Sequence, residues 1–320
     1  MDRTKSIGGS DSAAVLNISP YKSKIELYLE KTNQLLQNDK EKEKIFERGK
    51  IIEPFLCLYF EKILKSKIES SILLTSDKEY ITGNIDGYCA AEEAIIEFKT
   101  SAITDGWGEQ YTDQIPKHYL LQCHHYLMLH PTAKKVYVYV LQMHFDALEL
   151  LMIAFKKYGA SVEIFDEMSR IKTQMYIIHK DEEHQRLAEI LRQEYDIFWN
   201  QHVLKNIPPA ISSIDDLKLL FPESQDTKII ATEEELNLIE AFKNKQIDIT
   251  TAKQELEDLK FKICARLENA NMIVDSCNKK LVTFKTQTTN RLNLDQLKLK
   301  YPEATQDCFV ATKTRVFRLS

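Results

Sequence analysis

Two short apolar runs, Ile81 to Cys89 and Ala94 to Lys99, flank the polar stretch Ala91-Glu92-Glu93. Runs of this length around a polar break predict two antiparallel strands joined by a tight connection. A third apolar run, Val136 to Leu141, predicts another strand. Helical segments are expected from Ala13 to Leu16, around Glu53 as far as Tyr59-Phe60-Glu61, and where Gln122 and Tyr126, at i and i+4, share one face. After Pro208-Pro209, a natural linker mark, the pattern changes. Apolar residues recur at helical spacing over Glu233 to Phe242 and Thr251 to Ala270, with Leu256, Leu259, Ile263 and Leu267 on one stripe, which predicts a helical hairpin. Short β-prone pieces follow at Lys280 to Lys285 and Arg315 to Leu319.

The division this predicts is an α/β domain over residues 1–210 and a mainly helical C-terminal accessory region over 211–320. The accessory region holds an internal echo: Ile214-Asp215-Asp216-Leu217-Lys218-Leu219 with Phe221-Pro222-Glu223 matches Leu294-Asp295-Gln296-Leu297-Lys298-Leu299 with Tyr301-Pro302-Glu303. Two copies do not make a repeat protein, and amphipathic helices stopping at proline explain them equally well.

The first two strands carry the candidate chemistry. A hairpin centred between Ala91 and Glu92 sets Asp86 opposite Glu97, and directly opposed residues project from one face. Lys99 shares that face, because side chains alternate along a strand. Neighbouring carboxylates repel unless a cation sits between them. Mg2+ or Mn2+ suits hard oxygen ligands and keeps water that can be aimed at a phosphate. Lys99 would orient that water or neutralise the developing charge. A surface hairpin with an ordinary ion pair would carry the same residues. Near the start, Ser10 reads as the N-cap of the helix from Ala13, and amides at a helix N-terminus favour an anion.

Other chemistries fit less well. His118, His124, His125 and His130 crowd one segment but lack the spacing of a zinc site. The Gly8-Gly9 pair has no Gly-Lys-Ser/Thr after it, so no ATP-driven motor is expected.

Composition adds limits. The chain has 320 residues, 43% hydrophobic and 28% charged, with a net charge of −5. No run reads as a signal or membrane span. The scattered Cys57, Cys89, Cys123, Cys264, Cys277 and Cys308 read as reduced thiols of a cytoplasmic protein. A negative net charge does not argue against DNA, which responds to local patches. The basic part of the tail is its end: residues 211–277 carry eight Lys/Arg against fourteen Asp/Glu, and 278–320 carry nine against three.

The surrounding text resembles the lambda-exonuclease (YqaJ-like) family of viral recombination nucleases, a branch of the PD-(D/E)xK superfamily. Four blocks carry the resemblance in order: Ile7-Gly8-Gly9-Ser10-Asp11 with Ser19-Pro20-Tyr21; Arg48-Gly49-Lys50 with Glu53-Pro54; Gly83-Asn84-Ile85-Asp86-Gly87-Tyr88 leading to Ile96-Glu97-Phe98-Lys99-Thr100; and Ile115-Pro116 with Tyr119, Gln122, Tyr126 and Met128. It is good to about residue 145 and weak beyond 210. Ile85 stands where the superfamily has proline.

The resemblance implies a restriction-endonuclease-like core, a mixed central sheet flanked by helices, with a helical C-terminal appendage. It implies Asp86, Glu97, Lys99 and Gln122 as catalytic residues and Glu53, Asp86, Glu97 and Phe98 as holders of Mg2+ or Mn2+. Arg3 and Ser10 would receive the 5′-phosphate of DNA. The implied activity is a 5′-to-3′ exonuclease on linear duplex DNA that prepares strands for a phage-type annealing protein, with a trimeric ring as the implied assembly and no membrane partner. The alternatives are a structure- or site-specific endonuclease on the same core, and a catalytically silent DNA-binding or assembly protein.

Overall fold

A computed structural model describes residues 3–35, 40–101, 106–143, 145–159, 172–289, 291–303 and 315–319. The chain divides into two units, Met1–Pro222 and Glu223–Ser320. In the first, β1 (Glu69–Thr75), β2 (Thr82–Cys89), β3 (Ala94–Ser101), β4 (Lys135–Gln142) and β5 (Lys172–His179) form one sheet in sequence order. β3 and β4 run parallel and the other neighbours antiparallel.

A parallel pair needs a long crossover, and this one contains a helix, Lys117–Leu129. With α1 (Ser12–Val15), α2 (Lys24–Lys31) and α3 (Lys40–Leu64) before it, that helix is α4. α3 and α5 (Phe145–Tyr158) cover one sheet face, where Phe55, Phe60 and Phe155 pack with Ile96, Phe98 and Tyr139. α4 covers the other, where Cys123 and Leu127 pack with Ile85, Ile95, Val138 and Tyr176. A further cluster joins α1 and α2 to α6 (Glu182–Ile197) through Val15, Leu27, Leu191 and Tyr195. This is the mixed α/β core, sheet flanked by helices, that the sequence predicts.

The hairpin between β2 and β3 turns where expected. Cys89 pairs with Ala94, and between them run a single 3-10 turn, Ala90–Glu92, and Glu93 in the left-handed region at φ 47°. The ladder then stops early, its last pair being Gly87 with Ile96.

β1 and β2 also turn over at one point. Ile85 packs on the α4 side, whereas a side chain at Gly87 would strike Ile68 on the α3 side. The pairs Ser70 with Gly87 and Ile72 with Ile85 set Ser71 opposite Asp86, and Ser71 has φ 57°. A left-handed backbone at a non-glycine residue is sterically costly, and here it coincides with the change of face.

The boundary between units lies after Pro222, twelve residues beyond the expected Ala210. The reason is α7 (Ile214–Leu220), which packs against α2 and buries Asp216. That carboxylate accepts from the Ser212 amide at 3.0 Å and its hydroxyl at 2.8 Å.

In the second unit the expected helical hairpin is instead one helix, α8 (Glu233–Ala265), of 33 residues. Lys243 to Thr250 contains no glycine or proline to break it, and Thr232 with Glu235 forms a capping box at its start. β6 (Met272–Val274) pairs with β7 (Lys280–Thr283), whereas Arg315–Leu319 is not a strand. The internal echo is structural: α9 (Leu294–Lys300) repeats α7 in length, each N-cap, Ser213 or Asn293, accepting an amide at 3.0 Å. Phe221 and Tyr301 then close the two helices on Leu217 and Leu297. Among the described residues Cys57, Cys89, Cys123, Cys264 and Cys277 are free thiols, and no helix is long and apolar enough to cross a membrane. Cys308 lies outside the described residues.

Candidate active site

β3 aims Glu97 and Lys99 at α4, on the Ile95 side, while Ile96 and Phe98 point the other way into the α3 layer. Glu97 is 2% exposed. Its Oε1 accepts from Lys99 Nζ at 2.5 Å and from Gln122 Nε2 at 2.7 Å. Lys99 also donates to Gln122 Oε1 at 3.2 Å, and the Gln122 amide reaches the Tyr126 hydroxyl at 2.9 Å. The shared face of Gln122 and Tyr126 on α4 is thus turned onto the β3 charges. The second Glu97 oxygen, Oε2, is buried with no hydrogen-bond partner among the described residues, a state that costs free energy unless something fills it.

Asp86 sits one position beyond the last ladder pair of β2 and β3. The hairpin register would set it opposite Glu97, but the two form no ladder pair because the strands have already separated at Gly87 and Ile96. Its carboxylate lies in the fork and accepts the Phe98 amide at 2.8 Å. The acid therefore accepts a β3 backbone amide and still lies close enough to Glu97 and Lys99 to shift both.

Electrostatics tie the groups together. Burial pushes the Glu97 carboxyl up, Asp86 adds to this, and against the opposing pull of Lys99 the result is about 8. Glu53, on α3, is raised by burial and by Asp86 to about 7. Burial also raises Asp86, although Lys99 and the Phe98 amide oppose it. The Lys99 ammonium is held above its ordinary value: burial lowers it, and Glu97 and Asp86 more than offset that. Three acids that each resist ionisation around one lysine form a site short of positive charge.

That deficit, the partnerless Glu97 oxygen and an all-oxygen donor set fit a hard divalent cation. Among the described residues no three His, Cys, Asp or Glu side chains already stand in ligating geometry. One oxygen of each acid has protein partners, Asp86 Oδ2 with the Phe98 amide and Glu97 Oε1 with Lys99 and Gln122.

The N-terminal block supports the site from behind. A Cβ on Gly9 would sit 2.6 Å from the Tyr126 ring and 3.1 Å from Gln122, so only glycine allows this approach. Ser10 does not cap the helix as expected. It is exposed within a 3-10 turn, Gly9–Asp11, and Asp11 is the residue before α1. The Asp11 carboxylate takes the Gly8 amide at 3.1 Å and pairs with the buried Lys31 at 2.7 Å and with Lys22 at 3.4 Å. Burial raises that carboxyl, but Lys31 and Lys22 outweigh it and bring it to about 2. Arg3 opens the first 3-10 turn, and its side chain lies outside what is described.

Tyr119 and His118, on the same face of α4 as Gln122, also reach the site. Lys99 Nζ lies 4.8 Å above the Tyr119 ring, which stacks on Trp107 at 5.6 Å. His118 meets the exposed Tyr21 edge-on at 5.1 Å, and burial with Lys99 nearby pushes its imidazole down to about 4. Its Nε2 is buried with no partner among the described residues. The signal was their spacing, since i,i+3 and i,i+4 from Gln122 put both on one face of α4. The other histidines disperse: His124 faces His184 at 3.2 Å, His125 contacts Tyr195 and the Thr82 carbonyl at 2.9 Å, and His130 accepts from Ala133.

Known proteins supply an independent comparison. Residues 1–133 match the YqaJ-like viral recombinase domain. That YqaJ-like segment contains Glu53, Asp86, Glu97, Lys99 and Gln122 and ends just before β4. The uncharacterized protein YqaJ of Bacillus subtilis (strain 168) is 25% identical over 328 residues, spanning 99% of this chain and 92% of that protein. Among solved structures, a phage-related exonuclease from Haemophilus somnus 129PT is 14% identical, covering 63% of this chain and 96% of that one, with a TM-score of 0.41. LHK-Exo, solved in complex with dAMP, is 14% identical over 68% of this chain and 93% of that one, also at 0.41.

Proposed function

We propose that this chain is a divalent-metal-dependent deoxyribonuclease that hydrolyses DNA phosphodiesters with water, acting as an exonuclease from the 5′ ends of linear duplex DNA. The YqaJ-like match over residues 1–133 supports a nuclease. The observation that carries the chemistry is the buried Glu97, with one oxygen fixed by Lys99 and Gln122 and the other without a partner among the described residues.

Glu53, Asp86, Glu97 and Phe98 would hold Mg2+ or Mn2+. When bound, such an ion polarises a phosphate and lowers the pKa of a water. Lys99 stays charged and orients the attacking water or neutralises charge developing on the phosphate. Gln122 bonds both Glu97 and Lys99 and so fixes their separation. Burial of Glu97 and Cys123 keeps bulk water from the α4 side of the strand.

The polarity rests on Arg3 and the exposed Ser10 hydroxyl as seats for a terminal phosphate. A single-strand annealing protein as partner and a trimeric ring belong to the same reading. Incubating the protein with end-labelled linear duplex, with and without Mg2+, tests the activity. A closed circular substrate left intact supports the exonuclease, and its cleavage would favour an endonuclease. Faster digestion of 5′-phosphorylated than of 5′-hydroxyl ends supports the phosphate seat, and equal rates remove it.

A further inference from the structure

None of the residues of α8 is buried, yet its apolar positions follow a seven-residue pattern of alternating three- and four-residue steps. One set is Phe242, Ile249, Leu256 and Ile263 and the other is Leu238, Lys245, Ala252 and Leu259, while Leu236, Ile239, Ile247 and Phe261 lie off both sets. Lys245 is the single polar member. This is the seam of a coiled coil, in which two helices bury such positions against each other. Leu238, Ile249, Leu256 and Leu259 are each more than half exposed. Phe242 and Ile263 are less exposed, the Phe242 ring meeting Phe317 edge-on at 5.2 Å.

The charges beside the seam select the occupant. Asp248 and Glu255 line one flank, and Lys253 and Lys260 line the other. When two copies of α8 run parallel, each flank residue faces the opposite flank of its twin five residues on. Asp248 then meets Lys253, and Glu255 meets Lys260. In an antiparallel pair like flanks meet, which sets lysine against lysine and acid against acid, and such juxtapositions are destabilising. Isoleucine at two positions of the first set, with leucine at two of the second, is also the composition that favours two parallel strands.

We propose that α8 is a self-association helix that pairs in parallel with α8 of a second copy of this chain through the seam from Leu238 to Ile263. At 1.5 Å per residue the 33-residue helix is about 50 Å long, which provides several turns of contact. The pairing is independent of any assembly made by the first unit.

The test uses the full-length chain. Ala252→Cys places a thiol in the seam, where parallel copies bring the two thiols together. Mild oxidation should yield a covalent dimer that the wild type, treated alike, does not form. A second pair of variants reverses the flanks: Lys253→Glu with Lys260→Glu in one chain, and Asp248→Lys with Glu255→Lys in another. Each alone should lose the dimer in sedimentation equilibrium, and an equimolar mixture should regain it. These positions are exposed, so the fold tolerates the changes. No additional cross-link in Ala252→Cys would overturn the proposal, and so would association that is the same in both charge variants and their mixture, because it would run through another surface.

Discussion

Asp86 on β2 accepts the Phe98 amide of β3 at 2.8 Å, in the place where the next rung of the ladder would lie. This contact separates the two strands and leaves a carboxylate in the fork between them. Ser71 stands opposite with φ 57°, so the irregularity is shared by both strands of the β1–β2 pair. A regular three-stranded ladder would have tied up the same backbone groups and left no opening beside Glu97.

The shortage of positive charge predicts how a cation should bind. Glu53 and Glu97 ionise only near about 7 and about 8, and ligand carboxylates must be ionised to hold a metal. Both groups are raised, so Mg2+ affinity should begin to fall as pH drops through about 8 and fall more steeply below about 7. Binding near neutrality should release protons, which calorimetry in two buffers of different ionisation enthalpy measures. Affinity independent of pH, with no proton release, would contradict this.

Gly9→Ala should loosen the site without touching a charge. The new methyl displaces Tyr126 and through it Gln122, a crowding that costs about 1–3 kcal/mol. Gly49→Ala is the control, since nothing lies within 4 Å of its Cβ. Urea unfolding should show the first variant weakened and the second unchanged or slightly strengthened.

The Asp11–Lys31 pair predicts an acid limb of stability. The folded carboxyl titrates at about 2 instead of 3.8, so its contribution is complete above the higher value and is lost as pH falls through the lower. The linkage amounts to about 2 kcal/mol. Asp11→Ala removes the 2.7 Å counter-ion of a lysine side chain that is 1% exposed and should cost about 3 kcal/mol at neutral pH. Denaturation at a series of pH values should show a flatter acid limb in the variant; an unchanged limb would remove the pair from the account.

Truncation should distinguish the two boundaries. A chain ending at Pro222 keeps α7 on α2 with Asp216 buried, and one ending at Ala210 loses both. Thermal unfolding should place the shorter chain clearly below the longer, with exposed apolar surface promoting its aggregation.

Much of the site could be read from residue order because local rules govern it. The four-residue turn after Cys89, the alternation that puts Glu97 beside Lys99, and the i,i+4 pairing of Gln122 with Tyr126 need only strand and helix periods. The fork was not legible, because strand separation at Gly87 depends on how β1 turns over at Ser71, a relationship between distant residues. Ser10 has the local sequence of a cap, but Asp11 takes the position before α1 and its carboxylate pairs with Lys31, twenty positions away. The tail hairpin failed for a local reason: a polar stretch without a breaker, Lys243 to Thr250, continues a helix as readily as it ends one.

The central claim is that Asp86, Glu97 and Lys99 form one metal-dependent hydrolytic site. End-labelled linear duplex DNA should be digested by the wild type in Mg2+ and spared in excess chelator. Asp86→Asn, Glu97→Gln and Lys99→Ala should each lower the rate at least about 10²-fold while retaining the wild-type circular dichroism spectrum. Near-normal, Mg2+-dependent digestion by purified Asp86→Asn would contradict the account.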